Sequence, residues 1–536
     1  MAITTSSITT RVNDGTGTWV DPGSGGGSGQ NTDIFLSGTA SRARKVSNAT
    51  DKGYGFQINA SGEDITGLVF SLRWTVTAGV GLLDSRTNGG VSVFVQDTAG
   101  DISYWDVDGN DTYNGGFKNT VLDMSVAASR NSGTAADLTI AEYVGMVWTT
   151  TAGVGGGDPN TYIDEILSWP QAGLTITGNT TAFIDDLVDV IDLDGSSINH
   201  NIFERRSGIV FAKARIIVQQ DATDISETDR TLVFENPVYD AGSTIDTTQA
   251  EVGIENDNAT AGELFTLTRC SLLSADPDEA VTTDANREFD FTSGENADFD
   301  TCVISGFDGT VMHLGGTSNS YTGCTIAQCS QIVDTGAVVR GGFIRDTQAA
   351  AAEAALLWTS SSDWQDTEFV MGASNSHAME IETNITDSWT GFTFTGYNTT
   401  STGTTVGDEV LNSNNPSGGT IINASDVTGV ISWYQRGAGS DPTINSNVTV
   451  TFNTMRDDTE VRVYDNADGT TELDGIENAT AGSADNRNFG ASVAASTVVD
   501  YVIHNETYEY IRVNGFTWPS STTNLPIQQR FDRNVF

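Results

Sequence analysis

Cys270-Ser271-Leu272, Cys302-Val303-Ile304, Cys324-Thr325-Ile326, Gly342-Phe343-Ile344, Thr367-Glu368-Phe369 and Phe392-Thr393-Phe394 form one recurring column. Its steps are 32, 22, 18, 25 and 25 residues. A second column, Leu267, Phe291, Leu314, Val333, Trp358 and Ile381, interleaves with it at steps of 24, 23, 19, 25 and 23. Two interleaved ladders with a period of about 22 to 25 residues predict stacked coils in which inward residues rest on those of the coil before. The expected fold is all-β, with a right-handed parallel β-helix at its centre. In the first ladder the outward slots hold Ser271, Val303, Thr325, Phe343, Glu368 and Thr393. In the second they hold Asp290, His313, Ile332, Leu357 and Glu380.

Composition agrees with short strands and many turns. The 536 residues include 57 glycines and 9 prolines, and helix-forming runs are scarce. One alanine-rich run, Gln348 to Leu357, reads as part of a coil or a brief helical excursion. The formal charge of −46 disfavours nucleic acid and anionic membranes as partners, since both would be repelled. No apolar run near 18 residues is present, so membrane insertion is not expected. The opening MAITTSSITTRVNDG lacks the basic and apolar regions of a secretory signal. Cys270, Cys302, Cys324 and Cys329 read as buried free thiols, because cytosolic assembly disfavours oxidation.

Around the ladders the pattern changes. Residues 1–35 read as an irregular leader ending in a glycine-rich linker, Asp21 to Gly29. Residues 36–170 alternate as antiparallel strands, such as Phe70, Leu72, Trp74 and Val76 against Ser71, Arg73 and Thr75, and predict a jelly-roll-like β-sandwich. The near-identical Arg73-Trp74-Thr75-Val76-Thr77-Ala78-Gly79-Val80-Gly81 and Val147-Trp148-Thr149-Thr150-Thr151-Ala152-Gly153-Val154-Gly155 mark two equivalent strands. The solenoid spans 171–414, and Phe183 to Leu193 and Ile209 to Val218 read as strands of its first coils. Residues 415–536 form a small C-terminal sandwich, with Val448, Val450 and Phe452 inward, and a polar tail.

Three kinds of site suggest themselves. Tyr104, Trp105, Tyr113 and Phe117 are aromatics beside an acidic turn, a composition suited to stacking on sugar rings. Asp106, Asp108, Asn110 and Asp111, with Asp465 and Asp468, offer hard oxygen ligands; calcium is the ion they would suit, and no other cofactor is expected. Ordinary turns between strands produce the same letters. Glycan cleavage needs two carboxylates about 5 to 9.5 Å apart. Asp290 and Glu380 stand too many coils apart for that, Asp366 and Glu368 are neighbours of a kind that a chain with 71 acidic residues produces freely, and no pair can be placed. The expectation is a chain without catalytic residues. His200, His313, His377 and His504 fall in no ligand spacing.

The layout resembles β-helical exterior virion proteins of marine tailed bacteriophages, of the tail spike, tail fibre or head decoration type. The resemblance rests on Trp105-Asp106-Val107-Asp108-Gly109, Asp111-Thr112-Tyr113-Asn114-Gly115-Gly116, the opening Gly173-Leu174-Thr175-Ile176-Thr177-Gly178, and the terminal Glu460-Val461-Arg462-Val463-Tyr464-Asp465 and Tyr508-Glu509-Tyr510-Ile511-Arg512. It implies a structural protein on the virion exterior, assembled in the host cytoplasm, that adheres to host-surface glycans or decorates the capsid. The alternative on the same scaffold is a polysaccharide-degrading enzyme. The resemblance also implies other virion proteins as partners and, commonly, a trimer. An apolar outward stripe of Ile332, Phe343 and Leu357 argues for a homotrimer that buries it.

Overall fold

The computed structural model describes residues 3–5, 8–12, 15–21, 29–32, 39–45, 52–76, 91–108, 117–148, 160–192, 202–219, 224–235, 252–257, 264–275, 287–292, 296–307, 312–345, 354–358, 363–372, 374–397, 403–494, 497–519 and 522–531. The chain is all-β. Among the described residues the only α-helix is the four-residue Phe183–Asp186. Two compact units divide it: residues 1–298 with 302–312, and residues 299–301 with 313–536.

The first unit opens as two antiparallel six-stranded sheets. One centres on Leu68–Val76 paired with Asn160–Pro170, the other on Val91–Asp97 paired with Ala141–Trp148. Their alternating apolar residues make a common core of Phe70, Leu72, Trp74, Val93, Trp105, Met146 and Trp148. Trp74 and Trp148, the equivalent positions of the two repeated segments, belong to opposite sheets and meet edge to face at 6.3 Å. The glycine turns that follow them lie outside the described residues. The supposed leader is woven in: Thr9–Val12 pairs with Asn160–Pro170, and Thr4–Thr5 pairs with Leu174–Thr177. Ile3, Ile8 and Val12 are buried, which gives these short strands apolar anchors.

Parallel sheets follow in the same unit. Leu174–Thr177, Arg215–Gln219, Val252–Asn256 and Arg287–Asp290 pair in sequence in one sheet. A second is made by Ile209–Ala212, Thr231–Glu235, Ser271–Ala275 and Val303–Ser305. Ile225–Thr228 with Leu264–Thr268 begins a third. The segment read as a strand from Phe183 is instead the short helix, because Glu227 accepts the Ile184 backbone N–H at 3.0 Å and caps its first turn.

In the second unit the chain again returns to the same parallel sheet at every third strand, until the second sheet ends at Thr393–Thr395 and every second strand returns. The first sheet runs through Ile332–Asp334, Ala354–Trp358, His377–Ile381, Leu411–Ser413 and Trp433–Gln435. The second runs through Thr325–Ala327, Phe343–Arg345, Glu368–Val370 and Thr393–Thr395. Here Thr325, Phe343, Glu368 and Thr393 pair in register, as the repeating triplets predict. A third sheet, invisible as a column, holds Ser320–Thr322, Val338–Arg340, Asp363–Gln365, Thr386–Thr390 and Ile421–Ser425. Ala354–Trp358 is a strand, so the end of the alanine-rich run is extended and not helical; its beginning lies outside the described residues.

The other column holds at Trp358 and Ile381, which pair in register and are buried, but its Leu267 belongs to the third sheet and its Val333 is one residue out. Ile332 pairs with Leu356 and Val333 with Leu357, so Ile332 is buried inside and Val333 turns outward. Side chains alternate with a period of two, so a slip of one residue at this strand exchanges its inner and outer side chains. The stripe expected to bury itself in a homotrimer therefore loses Ile332. Phe343 and Leu357 are half-buried where they stand.

One turn carries the register from the third sheet to the second. Asp229, Arg269, Thr301, Gly323, Gly341, Asp366 and Gly391 each end a third-sheet strand with φ between 51° and 72°. In the second unit the backbone N–H groups of Gly323, Gly341, Asp366 and Gly391 donate to carbonyls of the next strand in that sheet. Residues with φ > 0 turn the chain sharply without breaking that hydrogen-bond ladder. At Gly391 a Cβ would come within 1.9 Å of the Asp366 carboxylate, which would have to move aside. Cys270, Cys324 and Thr367, each next after such a turn residue, donate Sγ–H or Oγ–H to the carbonyl two residues back. That shared bond explains why Cys and Thr can take equivalent places in the column. All four cysteines are free and buried.

The parallel stacking continues past residue 414. Thr443–Met455 pairs in parallel with Ile421–Ser425 through its first half and antiparallel with Asn486–Ala494 through its second. One 13-residue strand thus joins the stack to the terminal sandwich, whose core holds Val448, Val450, Phe452, Val461, Val463, Tyr501 and Trp518.

Candidate active site

The sequence-predicted aromatics do not form a sugar platform. Trp105 is in the sandwich core and donates Nε1–H to the Val126 carbonyl, while Tyr104 is buried beneath the Arg130 guanidinium, 4.1 Å above its ring. Alternation along Ile102–Asp108 and the cover of a neighbouring strand put both out of reach of a ligand. Phe117 is half-buried, and Tyr113 lies outside the described residues. Of the expected calcium ligands, Asn110 and Asp111 also lie outside them, and nothing is described of the Asp108 side chain. Asp106 is ion-paired with Arg130 at 3.2 Å. Asp465 accepts the Ala467 N–H and Asp468 those of Thr470 and Thr471, so these carboxylates close their own turn. The Thr471 hydroxyl and these N–H groups hold Asp468 down at about 2. Among the described residues no group of three or more His, Cys, Asp or Glu is placed to hold a metal.

The outward carboxylates tell more. Asp290 is engaged by the N–H and hydroxyl of Thr292, and Glu368 by the hydroxyl of Thr395. Asp366 is a turn residue. In the first unit Glu255 and Glu288 come from adjacent strands and both reach Nη2 of Arg215, at 2.9 and 2.7 Å. This triad ties three successive strands together. Sequence reading missed it because loop lengths in the first coils hide the register.

The second unit holds an unequal pair. Glu380 lies on His377–Ile381 of the first sheet, in register with Leu357 before it and Asn412 after it. Its side chain is only 4% exposed. Asn414 Nδ2 and Arg436 Nη1 donate to its Oε1 at 3.1 and 2.9 Å, and Gln331 Nε2 donates to its Oε2 at 3.1 Å. Glu382, just past the end of the same strand, is exposed and accepts from the same Asn414 nitrogen at 3.2 Å. Two contacts to one nitrogen cap the carboxylate separation at roughly 6 Å, near the spacing of retaining glycosidases.

Electrostatics separates the two. Burial pushes the Glu380 carboxyl above the usual carboxylate range, against the pull of Gln331, Arg436 and Asn414, and the neighbouring Glu382 charge pushes it the same way. A buried acid beside an exposed carboxylate is the arrangement that assigns acid and nucleophile in a glycosidase. Asn412 and Tyr434 continue the outward row on the next two strands. Glu380 was legible as an outward carboxylate. Its partner was sought on another coil, whereas it stands two residues along the same chain.

In another part of the second unit, Arg456, Asp457, Asp458, Asp485, Asn505, Glu506 and Tyr508 line a cavity of about 550 Å³ at the turns of the terminal sandwich. Its guanidinium is paired with Asp485 and lies 5.8 Å above the Tyr508 ring.

No family model and no curated protein matches the chain. Among solved structures, the CBM22-1 xylan-binding domain of Paenibacillus barcinonensis Xyn10C is similar at 12% identity over 31% of this chain and 96% of its own, with a TM-score of 0.21. A variant of the catalytic domain of a GH87 α-1,3-glucanase, in complex with nigerose, is similar at 10% identity over 83% of this chain and 98% of its own, with a TM-score of 0.22. The Agl-KA catalytic domain matches at 11% identity over 82% and 98%, with a TM-score of 0.17. At such TM-scores the likeness carries no argument about fold or mechanism. The expectation of a chain in which no carboxylate pair can be placed is withdrawn on the chain's own geometry, since Glu380 and Glu382 share the Asn414 amide; GH87 catalytic domains stand among the solved structures similar along most of the chain.

Proposed function

We propose that the chain binds and hydrolyses a neutral polysaccharide on the outer side of the first parallel sheet of its second unit. The observation that carries this reading is the Glu380–Glu382 pair, held by one amide and unequal in burial. Glu380 acts as general acid, giving its proton to the leaving glycosidic oxygen, while the Glu382 carboxylate attacks the anomeric carbon. Glu380 then takes a proton from the water that releases the sugar from Glu382, and the anomeric configuration is retained. Arg436, half-exposed, covers Glu380 in the resting state and is displaced as substrate enters. Polyanionic glycans are disfavoured by the charge of −46. In this reading the parallel sheets are faces of a right-handed parallel β-helix. The resemblance to phage exterior proteins supports a setting on a virion, where such an activity would meet host-surface glycans.

The test is release of reducing ends from a panel of neutral α-glucans, β-glucans and xylans, with product configuration read by NMR. Wild-type protein should release oligosaccharides with retention, and Glu380→Gln and Glu382→Gln should each abolish it. No release from any member of the panel, or undiminished release by Glu380→Gln, rejects the hydrolase.

A further inference from the structure

We infer that Tyr434 is a sugar-stacking subsite beside the acid pair and that His377 is the positioning residue behind its ring. The inference rests on the proposed function for the class of ligand, a neutral glycan. Tyr434 pairs in register with Asn412, and Asn412 with Glu380, so it stands two strands from the acid, roughly 10 Å at the usual strand spacing. A glycan lying across the strands from Glu380 would meet it. Tyr434 is half-buried and sits on Trp433–Gln435, the last strand of that sheet, whose outer neighbour is a single bridge to Gly403.

One side of the ring is already supported. His377 stacks against it with centroids 5.6 Å apart and planes 10° from parallel. His377 is fully buried, and its Nδ1 lies 2.9 Å from the Glu409 carbonyl. A carbonyl only accepts, so Nδ1 carries the proton and Nε2 the lone pair. That Nε2 has no hydrogen-bond partner among the described residues. A buried acceptor left unpaired is a standing cost to stability, and an apolar ring of the same size would avoid it. Burial also keeps the imidazole uncharged, against the pull of Glu409 and Asp408. What the ring supplies in return is a flat, neutral, immobile surface against Tyr434. An aromatic ring fixed in this way presents its apolar face and its hydroxyl without the entropy cost of ordering on binding.

Native affinity electrophoresis through gels of soluble α-glucan, β-glucan and xylan tests the subsite apart from the chemistry. The Glu380→Gln protein should be retarded in at least one gel, and adding Tyr434→Ala should weaken that retardation about tenfold. Tyr434→Phe and His377→Phe, which keep the rings, should stay close to the parent, while His377→Ala weakens it. Unchanged retardation with Tyr434→Ala, or no retardation in any gel, overturns the subsite. Loss on Tyr508→Ala in place of Tyr434→Ala moves binding to the terminal cavity and overturns it as well. Retardation that depends on Tyr434, with no cleavage by the wild type, keeps the subsite and rejects the hydrolase.

Discussion

In the first unit Glu255 and Glu288 share the guanidinium of Arg215; in the second, Glu380 and Glu382 share the amide of Asn414. Both pairs lie at a parallel sheet, the second with Glu382 just past the strand end, and both are close enough for double displacement. In the first, one cation serves two half-exposed carboxylates alike. In the second, the bridging group is neutral and one carboxyl is sealed over while the other stays in water. Equal surroundings make an ion-paired staple; unequal ones make an acid and a nucleophile. Cover, more than spacing, decides which.

The largest effect expected from this contrast is in turnover. Glu380→Gln should lower the rate of reducing-end release by about 10²- to 10⁴-fold, the range of a general acid, while Glu288→Gln stays near the wild type. The opposite ranking would make the Arg215 triad the active pair.

Next in size is the contrast between the inside and outside of one strand. Cys302 is buried and Val303 is among the exposed apolar residues. Cys302→Asp, which buries an unpaired charge, should cost about 3–5 kcal/mol, and Val303→Asp little. Thermal melts of the two variants that coincide would break the assignment of inner and outer faces.

A second buried carboxylate extends the comparison to the sandwich. Glu165 has its nearest described cation, Arg73, 4.0 Å away. Burial raises it to about 7 from the usual 4.5, against the pull of Arg73. A carboxyl that holds its proton more tightly when folded adds stability that is full below about pH 4.5 and lost as pH rises through 7. The total is on the order of 3 kcal/mol. Glu165→Gln should flatten the melting temperature across that window; an equally steep profile would refute the assignment.

The smallest effect sharpens the role of Arg436. Its charge favours the ionised form of Glu380, so Arg436→Ala should raise the Glu380 pKa further. Activity that needs protonated Glu380 would then persist to higher pH. The alkaline limb of the rate profile should move up, and a shift downward would contradict the pairing.

Much of this architecture could be read from local pattern. The Ser271, Val303 and Phe343 triplets pair as their spacing predicts, since each is a short strand set by the same turn. Trp74 and Trp148 fall on equivalent strands because alternation survives in both segments. Three features escaped for stated reasons. Val333 was turned inward by a one-residue slip, the third sheet shows only single large inward residues on its short strands (Tyr321, Val339, Trp364, Trp389) and was passed over, and Glu382 stands beyond a strand end, where alternation no longer says which way a side chain points. Tyr104 and Trp105 were misjudged as exposed because polar neighbours in sequence say nothing about which strand lies on top.

Strand character, the triplet column, the acidic charge and the outward slot of Glu380 follow from the sequence by itself, because each depends on neighbours along the chain. The burial of Glu380, its sharing of Asn414 with Glu382, the approach of Arg436 and the stacking of His377 on Tyr434 were decided only by tertiary structure. They bring together residues from four segments between Gln331 and Arg436. Desolvation and Coulomb forces act through space, and the distances that set them come from stacking one strand on another.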